Sequence, residues 1–197
     1  MSKIKIYTKT GDKGYTNLYD MKKVRKDDMI FEVLGNLDEL SAMIGLLCVE
    51  MEDNDKVSKD CIVFLRQIQC LILDISSDIA TTINRDKIIS VTENEIKEIE
   101  GKIDVYHNRC AELTEFLLPG TVKIEAVAHI CRTITRRSER SLWKLYYDYT
   151  DRQENFHVGQ ETFTYVNRLS DFFFAFARFY SFGKEYTRSM AKRKLLK

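Results

Sequence analysis

Four arginines lie within nine residues of a stretch whose apolar spacing is helical. Arg132, Arg136 and Arg140 recur every four residues, and a fourth arginine stands at position 137. Residues four apart lie above one another on a helix, so these guanidinium groups are expected along one face. A guanidinium binds two phosphate oxygens at once and stays charged at neutral pH, which suits the polyphosphate of a nucleotide. Spacing alone leaves open a solvated face, or one paired with carboxylates such as Glu139.

A second segment suited to anions runs from Tyr7 to Asn17. Its sequence is Tyr-Thr-Lys-Thr-Gly-Asp-Lys-Gly-Tyr-Thr-Asn. Gly11 and Gly14 permit the positive φ angles that let successive backbone N–H groups point into one concavity, while lysines and threonines add charge and donors. The segment lacks the GxxxxGK[ST] order of a Walker A loop. It therefore predicts either a cradle for a triphosphate or an ordinary tight turn.

Composition narrows the class of protein. The chain has 197 residues, 44% of them hydrophobic, which suffices for one domain spanning residues 1–197. Its 31 basic and 30 acidic residues give a formal charge of +1, whereas a general nucleic-acid binder would carry a basic excess. No stretch approaches the roughly 20 apolar residues of a membrane span, and the first residues do not resemble a secretory signal. We expect a cytoplasmic protein with no membrane or nucleic-acid partner, whose five cysteines are reduced core thiols.

Apolar residues recur with helical spacing from about residue 28 onward and predict five long amphipathic helices. Their expected extents are 30–51, 57–79, 92–113, about 123–149 and about 160–186. Thr92 and Glu95 have the spacing of a capping box, which would begin the third helix. The predicted fold is an all-α, antiparallel five-helix bundle that follows an N-terminal nucleotide-binding loop segment. A basic tail from about residue 188 is expected to be frayed and solvated.

Five motifs occur along the chain in a fixed order, at residues 6–14, 37–40, 116–120, 132–140 and 167–171. They resemble the motifs of the PduO-type ATP:cob(I)alamin adenosyltransferases, and the resemblance covers about residues 4–180. It implies a homotrimer in which ATP and cobalamin bind where neighbouring subunits meet. The implied reaction transfers the 5′-deoxyadenosyl group of ATP to the cobalt of cob(I)alamin and releases triphosphate. Mg²⁺ would accompany ATP, and a reductase and a cobalamin-dependent enzyme would be the protein partners.

The resemblance also implies roles for single residues. Those that match ATP-binding positions are Thr8, Lys9, Thr10, Gly11, Lys13, Thr16, Asn17, Lys26, Arg136, Arg137, Glu139, Arg140 and Asn167. Asp38 and Arg132 match a pair that bridges two subunits at the corrinoid, and Phe116 matches an aromatic residue on the lower axial face of the cobalt. Arg136, Arg132 and Asp38 would carry the catalysis. Because Co(I) is itself the nucleophile, no protein general base is required, in keeping with the absence of a Ser-His-Asp or Cys-His arrangement.

Several of these residues also fit a purely structural role. Phe116 precedes two leucines and could belong to the core, while Asp38 could cap or pair locally. Asn167 and Asp171 could form a solvated pair, since they stand four residues apart on a predicted helix. The three histidines, at positions 107, 129 and 157, are expected to be structural.

The segment 147–159 raises two further questions. It is longer than expected between the last two helices, and we interpret it as a surface insertion rather than a lid or partner contact. Within it, Glu154 and His157 have the Glu-x-x-His spacing of di-metal sites in helical bundles. Such a site needs a second copy of the motif, which the sequence lacks, so no resident metal is predicted.

Two other functional classes stay open on the sequence. A non-catalytic carrier of corrinoids or nucleotides would keep the same binding residues, so the sequence separates it poorly from an enzyme. A purely structural bundle would need none of the paired polar motifs.

Overall fold

The fold is a bundle of five helices, seen in a computed structural model that describes residues 7, 9–19, 21–52, 58–81, 91–154, 156–181, 183, 186–187 and 191. The helices are α1 (Met29–Glu52), α2 (Lys59–Ile79), α3 (Glu93–His107), α4 (Lys123–Asp151) and α5 (Gln160–Ser181). Two small antiparallel ladders accompany them. They pair β1 (Tyr15–Asn17) with β2 (Lys23–Arg25), and β3 (Leu117–Leu118) with β4 (Tyr186–Thr187). The prediction of an all-α five-helix bundle is confirmed.

The neighbouring helices α1 and α4 run antiparallel, as do α4 and α5, whereas α3 and α5 are parallel neighbours. On α1 and α4, Asn36 contacts Ser141, whereas the far end of α1 reaches the start of α4 through an ion pair between residues 50 and 123. On α3 and α5, Glu100 contacts Arg168, and Tyr106 packs edge-on against Phe176 about two turns further along both helices. The connection 108–122 must therefore cross the end of the bundle to reach α4.

The core is densest around α5, the last helix. Phe172, Phe173 and Phe176 are fully buried, and Phe172 contacts both Phe64 of α2 and Tyr106 of α3. Apolar residues of α1 complete the core at spacings of three and four, as the sequence pattern predicts. Burial of such large side chains is the main source of stability in a bundle of this size.

Two helix ends differ from the predicted ones. The third helix ends at His107 rather than residue 113, because i→i−3 hydrogen bonds tighten its last turn and Arg178 binds the carbonyl of Ala111 at 2.7 Å. The fifth ends at Ser181 rather than residue 186. Gly183 adopts a positive φ of 79° beyond it, and the chain then pairs as β4 with β3. The capping box of Thr92 and Glu95 is confirmed at the start of α3.

The connection between the last two helices is shorter than the predicted insertion 147–159. Residues 147–151 continue α4, and only 152–159 connect it to α5. Phe156 packs against Tyr146, Tyr149 and Phe163, so an aromatic cluster holds the connection against the bundle. Asn155 lies outside the described residues, as do positions 53–57, 82–90 and, apart from residue 191, the tail from 188 onward.

The prediction that all five cysteines are core thiols is wrong for Cys70 and for Cys110, which lies in the connection after α3 and is only half-buried. Cys48, Cys61 and Cys131 are buried, and burial raises the pKa of Cys131 to about 12. Cys70 is exposed, because it lies on the outer face of α2. None of the described helices is both long enough and apolar enough to cross a membrane.

Candidate functional site

The N-terminal segment folds as a turn closed by a hairpin. The N–H of Gly14, which has a φ of 79°, donates to the carbonyl of Gly11 at 3.3 Å, and the N–H of Lys26 donates to the carbonyl of Gly14 at 2.9 Å. The β1–β2 ladder thereby lays the Lys26 side chain over the turn. A Cβ at Gly11 would lie 3.0 Å from the Lys26 ammonium, so glycine keeps this approach open. Lys26, which stands nine residues beyond Asn17 at the end of this segment, is brought to the turn by backbone pairing.

The other predicted residues of this segment surround the same turn. Lys9, Thr10, Lys13 and Asn17 are exposed, and Thr16 is half-buried. Lys9 has a φ of 61°, which is uncommon for a residue with a side chain. Thr8 lies outside the described residues. The segment thus exposes charged and hydroxyl groups. Among the described residues, neither Lys9 nor Lys13 forms an ion pair with a carboxylate.

An open pocket of about 440 Å³ lies between the start of α1 and the middle of α4. Its lining residues are Asp27, Met29, Glu32, Asn36, Arg137, Arg140, Ser141 and Lys144. Asp27 directly follows Lys26, and the N–H of Ile30 donates to the carboxylate of Asp28 at 3.0 Å, which begins α1 beside the hairpin. The pocket therefore begins one residue after Lys26, and its volume is within the range of small-molecule sites.

Arg137 is fixed in the pocket wall by α1. Its Nε donates to Oδ1 of Asn36 at 2.8 Å, and its Nη2 donates to the carboxylate of Glu39. Asn36 in turn donates to the hydroxyl of Ser141 at 3.2 Å. Sequence reasoning missed Asn36, although an asparagine among the apolar positions of α1 is a signal for a buried polar contact.

The arginines of α4 point in different directions. Arg137 faces α1, whereas Arg136 and Arg140 are exposed, with Nη1 of Arg140 donating to the backbone carbonyl of Arg136 at 3.0 Å. Arg132 is half-buried, and burial together with the nearby Arg136 lowers its pKa from the usual value. Arg137 thus faces away from the set of Arg132, Arg136 and Arg140, which was predicted to share one face.

Glu139 and Asn167 meet on the side of α4 that faces α5. Nδ2 of Asn167 donates to Oε1 of Glu139 at 2.9 Å, and Oδ1 of Asn167 accepts from Arg168 at 3.0 Å. Asn167 is thus held by two neighbours, and the alternative of a solvated pair with Asp171 does not describe it. The two residues predicted to contact the nucleotide from different helices are in direct contact.

Within the described chain, no hydrogen bond or ion pair joins the residues predicted at the corrinoid. Phe116 is 80% exposed, which excludes the alternative of a core phenylalanine within the chain. Asp38 is exposed on α1 and makes no hydrogen bond or ion pair with another described residue. Nε of Arg132 donates to Nδ1 of His129 at 3.2 Å rather than to a carboxylate. Within the described chain, Asp38 and Arg132 are not paired.

Comparison with known proteins identifies the family. Residues 6–180 match the family model described as cobalamin adenosyltransferase. A corrinoid adenosyltransferase from Bacillus subtilis (strain 168) is 39% identical over 175 residues, covering 89% of this chain and 86% of that protein. The chain belongs to the cobalamin adenosyltransferase family. The resemblance predicted from the five motifs is confirmed.

Other cobalamin adenosyltransferases agree in sequence and in fold. A corrinoid adenosyltransferase of Homo sapiens is 34% identical over 181 residues, covering 89% of this chain and 68% of that protein. The structure of a phenylalanine-to-alanine variant of the PduO-type ATP:corrinoid adenosyltransferase from Lactobacillus reuteri, complexed with cobalamin and ATP, superimposes with a TM-score of 0.76. It is 32% identical, and the match covers 89% of this chain and 93% of that one. These relatives favour the enzyme over the non-catalytic carrier and the structural bundle.

Proposed function

We propose that this corrinoid adenosyltransferase transfers the 5′-deoxyadenosyl group of ATP to the cobalt of cob(I)alamin, in a site built from the N-terminal turn and the α4 arginines. ATP and cobalamin are its substrates. The observation that carries the assignment of the site is that Lys26, which covers the turn at Gly11, is followed directly by Asp27 of the pocket lined by Arg137 and Arg140. Anaerobic incubation of the protein with ATP and chemically reduced cobalamin should yield adenosylcobalamin and triphosphate in equal amounts.

The reaction needs little acid–base chemistry from the protein. The electron pair of Co(I) forms a bond to the ribose C5′, the bond from C5′ to the triphosphate oxygen breaks, and triphosphate leaves with that electron pair. The side chains have to hold two substrates in line and stabilise the charge that builds on the leaving group. The exposed guanidinium of Arg136 and the pocket-lining guanidinium of Arg140 suit the second task.

Mg²⁺ is expected to arrive with the triphosphate. No group of three histidine, cysteine or carboxylate side chains that could hold a metal is present among the residues described. Mg²⁺ usually keeps several waters and binds substrate phosphates together with one or two carboxylates. Asp27 and Glu32 at the pocket wall fit that pattern.

Binding of ATP should depend chiefly on its phosphates. The proposed contacts from Lys9, Lys26 and Arg140 are all cationic, so MgATP should bind at least tenfold more tightly than AMP. Isothermal titration calorimetry measures the difference. Arg140→Ala should reduce it, whereas Arg66→Ala, which removes a charge on α2 far from the pocket, should leave it unchanged. Equal affinities for ATP and AMP would contradict a phosphate-binding role for this surface.

We further propose that the active site is shared between subunits of a homotrimer. Arg132 is half-buried without a carboxylate partner in the described chain, and burying an unpaired charge is costly. Asp38 of a neighbouring chain would supply that carboxylate. Leu46 and Val49 of α1 and Ile130 of α4 are about half exposed, and they give these two helices apolar surface for a neighbour to cover.

Phe116 is proposed to cover the lower axial face of the cobalt. Phe116→Ala should slow turnover that starts from Co(II), where loss of the lower ligand aids reduction, more than turnover from pre-reduced Co(I). Because the side chain is exposed, the free energy of unfolding should change far less than the roughly 3–5 kcal/mol of a core truncation. Phe172→Ala, at a fully buried position, is the matched control for stability.

Two measurements check this role. Turnover assays with each cobalt state, and chemical denaturation of both variants, separate an effect on the cobalt from an effect on the fold. Equal loss with Co(I) and Co(II) would contradict the assignment.

A further inference from the structure

A buried chain of hydrogen bonds runs along α4 from the loop before it to Arg132. The backbone N–H groups of Gly120 and Thr121 donate to Oε2 of Glu125 at 2.9 and 2.8 Å. The other carboxylate oxygen of Glu125 lies 3.2 Å from Nε2 of His129. Nδ1 of His129 accepts from Nε of Arg132 at 3.2 Å. Residues 125, 129 and 132 stand four and three apart, so they share one face of the helix.

The middle of this series of hydrogen bonds is shielded from water. Glu125 is 3% exposed and His129 is 6% exposed, with the ring of Phe174 packed edge-on against the imidazole. Since the Nε of an arginine can only donate, Nδ1 of His129 must be unprotonated, and Nε2 carries the proton that Glu125 accepts. Burial lowers the pKa of His129; Glu125 opposes this shift and the positive charge of Arg132 adds to it. The contacts thus select one neutral tautomer.

Capping the helix explains only part of the arrangement. Glu125 is the third residue of α4, where a carboxylate commonly reaches back to N–H groups before the helix. That role needs neither a histidine at position 129 nor a bond from it to an arginine. An apolar side chain at 129 would fill the same space without the cost of burying a polar ring. The contact with Arg132 is what the histidine adds.

We propose that Glu125 and His129 are positioning residues, which join the loop that carries Phe116 to the guanidinium of Arg132. The proposal rests on the proposed function, in which Phe116 and Arg132 face the corrinoid. His129 occupies the Nε of Arg132 and orients its plane, so that the two Nη groups, which make no hydrogen bond within the described chain, point outward together. Glu125 holds the loop and the histidine with its two oxygens. The loop and the arginine are thereby kept at a fixed separation.

Glu125→Gln is the sharpest test, because it keeps the size of the side chain. The amide oxygen must face the N–H groups of Gly120 and Thr121, which only donate, and this directs the amide NH₂ toward His129. The Nε2 of His129 then has to accept, so the ring proton moves to Nδ1 and confronts the N–H of Arg132. We expect kcat/KM for cobalamin to fall by roughly tenfold to a hundredfold, as for a misplaced binding group, with the KM for ATP unchanged.

The tautomer itself gives a readout that does not depend on activity. In protein labelled with ¹⁵N-histidine, the ring shifts of His129 should show Nε2–H in the wild-type chain and Nδ1–H in Glu125→Gln. His129→Phe assigns the signal among the three histidines. A wild-type ring that is protonated on Nδ1 at neutral pH would overturn the proposal.

A double-mutant cycle tests whether His129 acts through Arg132. His129→Phe should lower kcat/KM for cobalamin in the wild-type background and change nothing further once Arg132→Ala is present. Thr135→Val is the matched control, since Thr135 is buried on the same helix and donates only to the carbonyl of Cys131 among described residues. It should leave cobalamin use unchanged, and losses that simply add in the cycle would overturn the proposal.

The same cycle distinguishes failure of the proposal from failure of the proposed function. If Arg132→Ala alone leaves cobalamin use intact, the placement of Arg132 at the corrinoid is wrong. If Arg132→Ala impairs cobalamin use while Glu125→Gln and His129→Phe do not, Arg132 is at the corrinoid and the positioning role is wrong.

Discussion

Arg136→Lys should lose between about tenfold and a thousandfold in kcat, although it keeps the positive charge. Within the described residues the Arg136 guanidinium makes no hydrogen bond or ion pair, and only its backbone carbonyl is used, by Arg140. It is therefore available to a ligand. A departing triphosphate spreads charge over several oxygens, which a planar guanidinium can bind in pairs and a point ammonium cannot.

The expected loss should appear in the chemical step rather than in the fold. Because Arg136 is exposed, Arg136→Lys should unfold at the same denaturant concentration as the wild-type protein. Single-turnover measurements with saturating ATP and pre-reduced cobalamin isolate the transfer itself. Arg66→Lys, at an exposed position on α2, is the matched control and should retain full turnover. Full turnover in Arg136→Lys would show that this guanidinium does not stabilise the leaving group.

Mixing two inactive variants should restore activity if the corrinoid site spans two chains. Asp38→Ala and Arg132→Ala should each impair cobalamin use, because each leaves an uncompensated charge at the interface, at a cost of roughly 3–5 kcal/mol when burial is complete. When the two proteins are unfolded and refolded together, mixed trimers contain some interfaces with both native residues. These interfaces should be active, whereas each variant refolded alone should stay inactive.

The ion pair between Glu39 and Arg137 is a control for this experiment. Glu39 is adjacent to Asp38 but pairs with Arg137 of its own chain. Any loss in Glu39→Ala and Arg137→Ala should therefore persist after mixing, because no subunit boundary separates that pair. Analytical ultracentrifugation measures the assembly state of each preparation. A monomeric wild-type protein, or mixed assemblies that recover nothing, would refute the shared site.

Sequence patterns predicted the structural features that depend only on residues near one another in the chain. The extents of α1 and α4, the capping box of α3 and the four-residue recurrence of Arg132, Arg136 and Arg140 all follow from helical periodicity. The ends of α3 and α5 do not, because contacts distant in sequence set them. Arg178 binds the carbonyl of Ala111 from 67 residues away, and β4 pairs with β3 across the bundle end.

In the candidate site, too, local motifs were predictable from the sequence, whereas contacts between residues distant in sequence were not. The motifs located the N-terminal turn and the arginines, but the partner that fixes Arg137 is Asn36, 101 residues away in sequence. His129 was predicted only as structural, since no spacing rule reveals that its ring lies between a carboxylate and Arg132. The exposure of Phe116 depends on how the 108–122 connection crosses the bundle, which apolar spacing does not encode.

The position of α5 at the centre of the core has a consequence for biosynthesis. A ribosome releases α5 after the other four described helices, so α1 to α4 emerge with the faces that Phe172, Phe173 and Phe176 will cover still open to water. Packing between α1 and α4 can form earlier, but the aromatic centre that joins α2 and α3 to the rest cannot. The nascent chain therefore reaches its native core only after α5 has emerged, and until then its unburied apolar faces are open to chaperones and to aggregation.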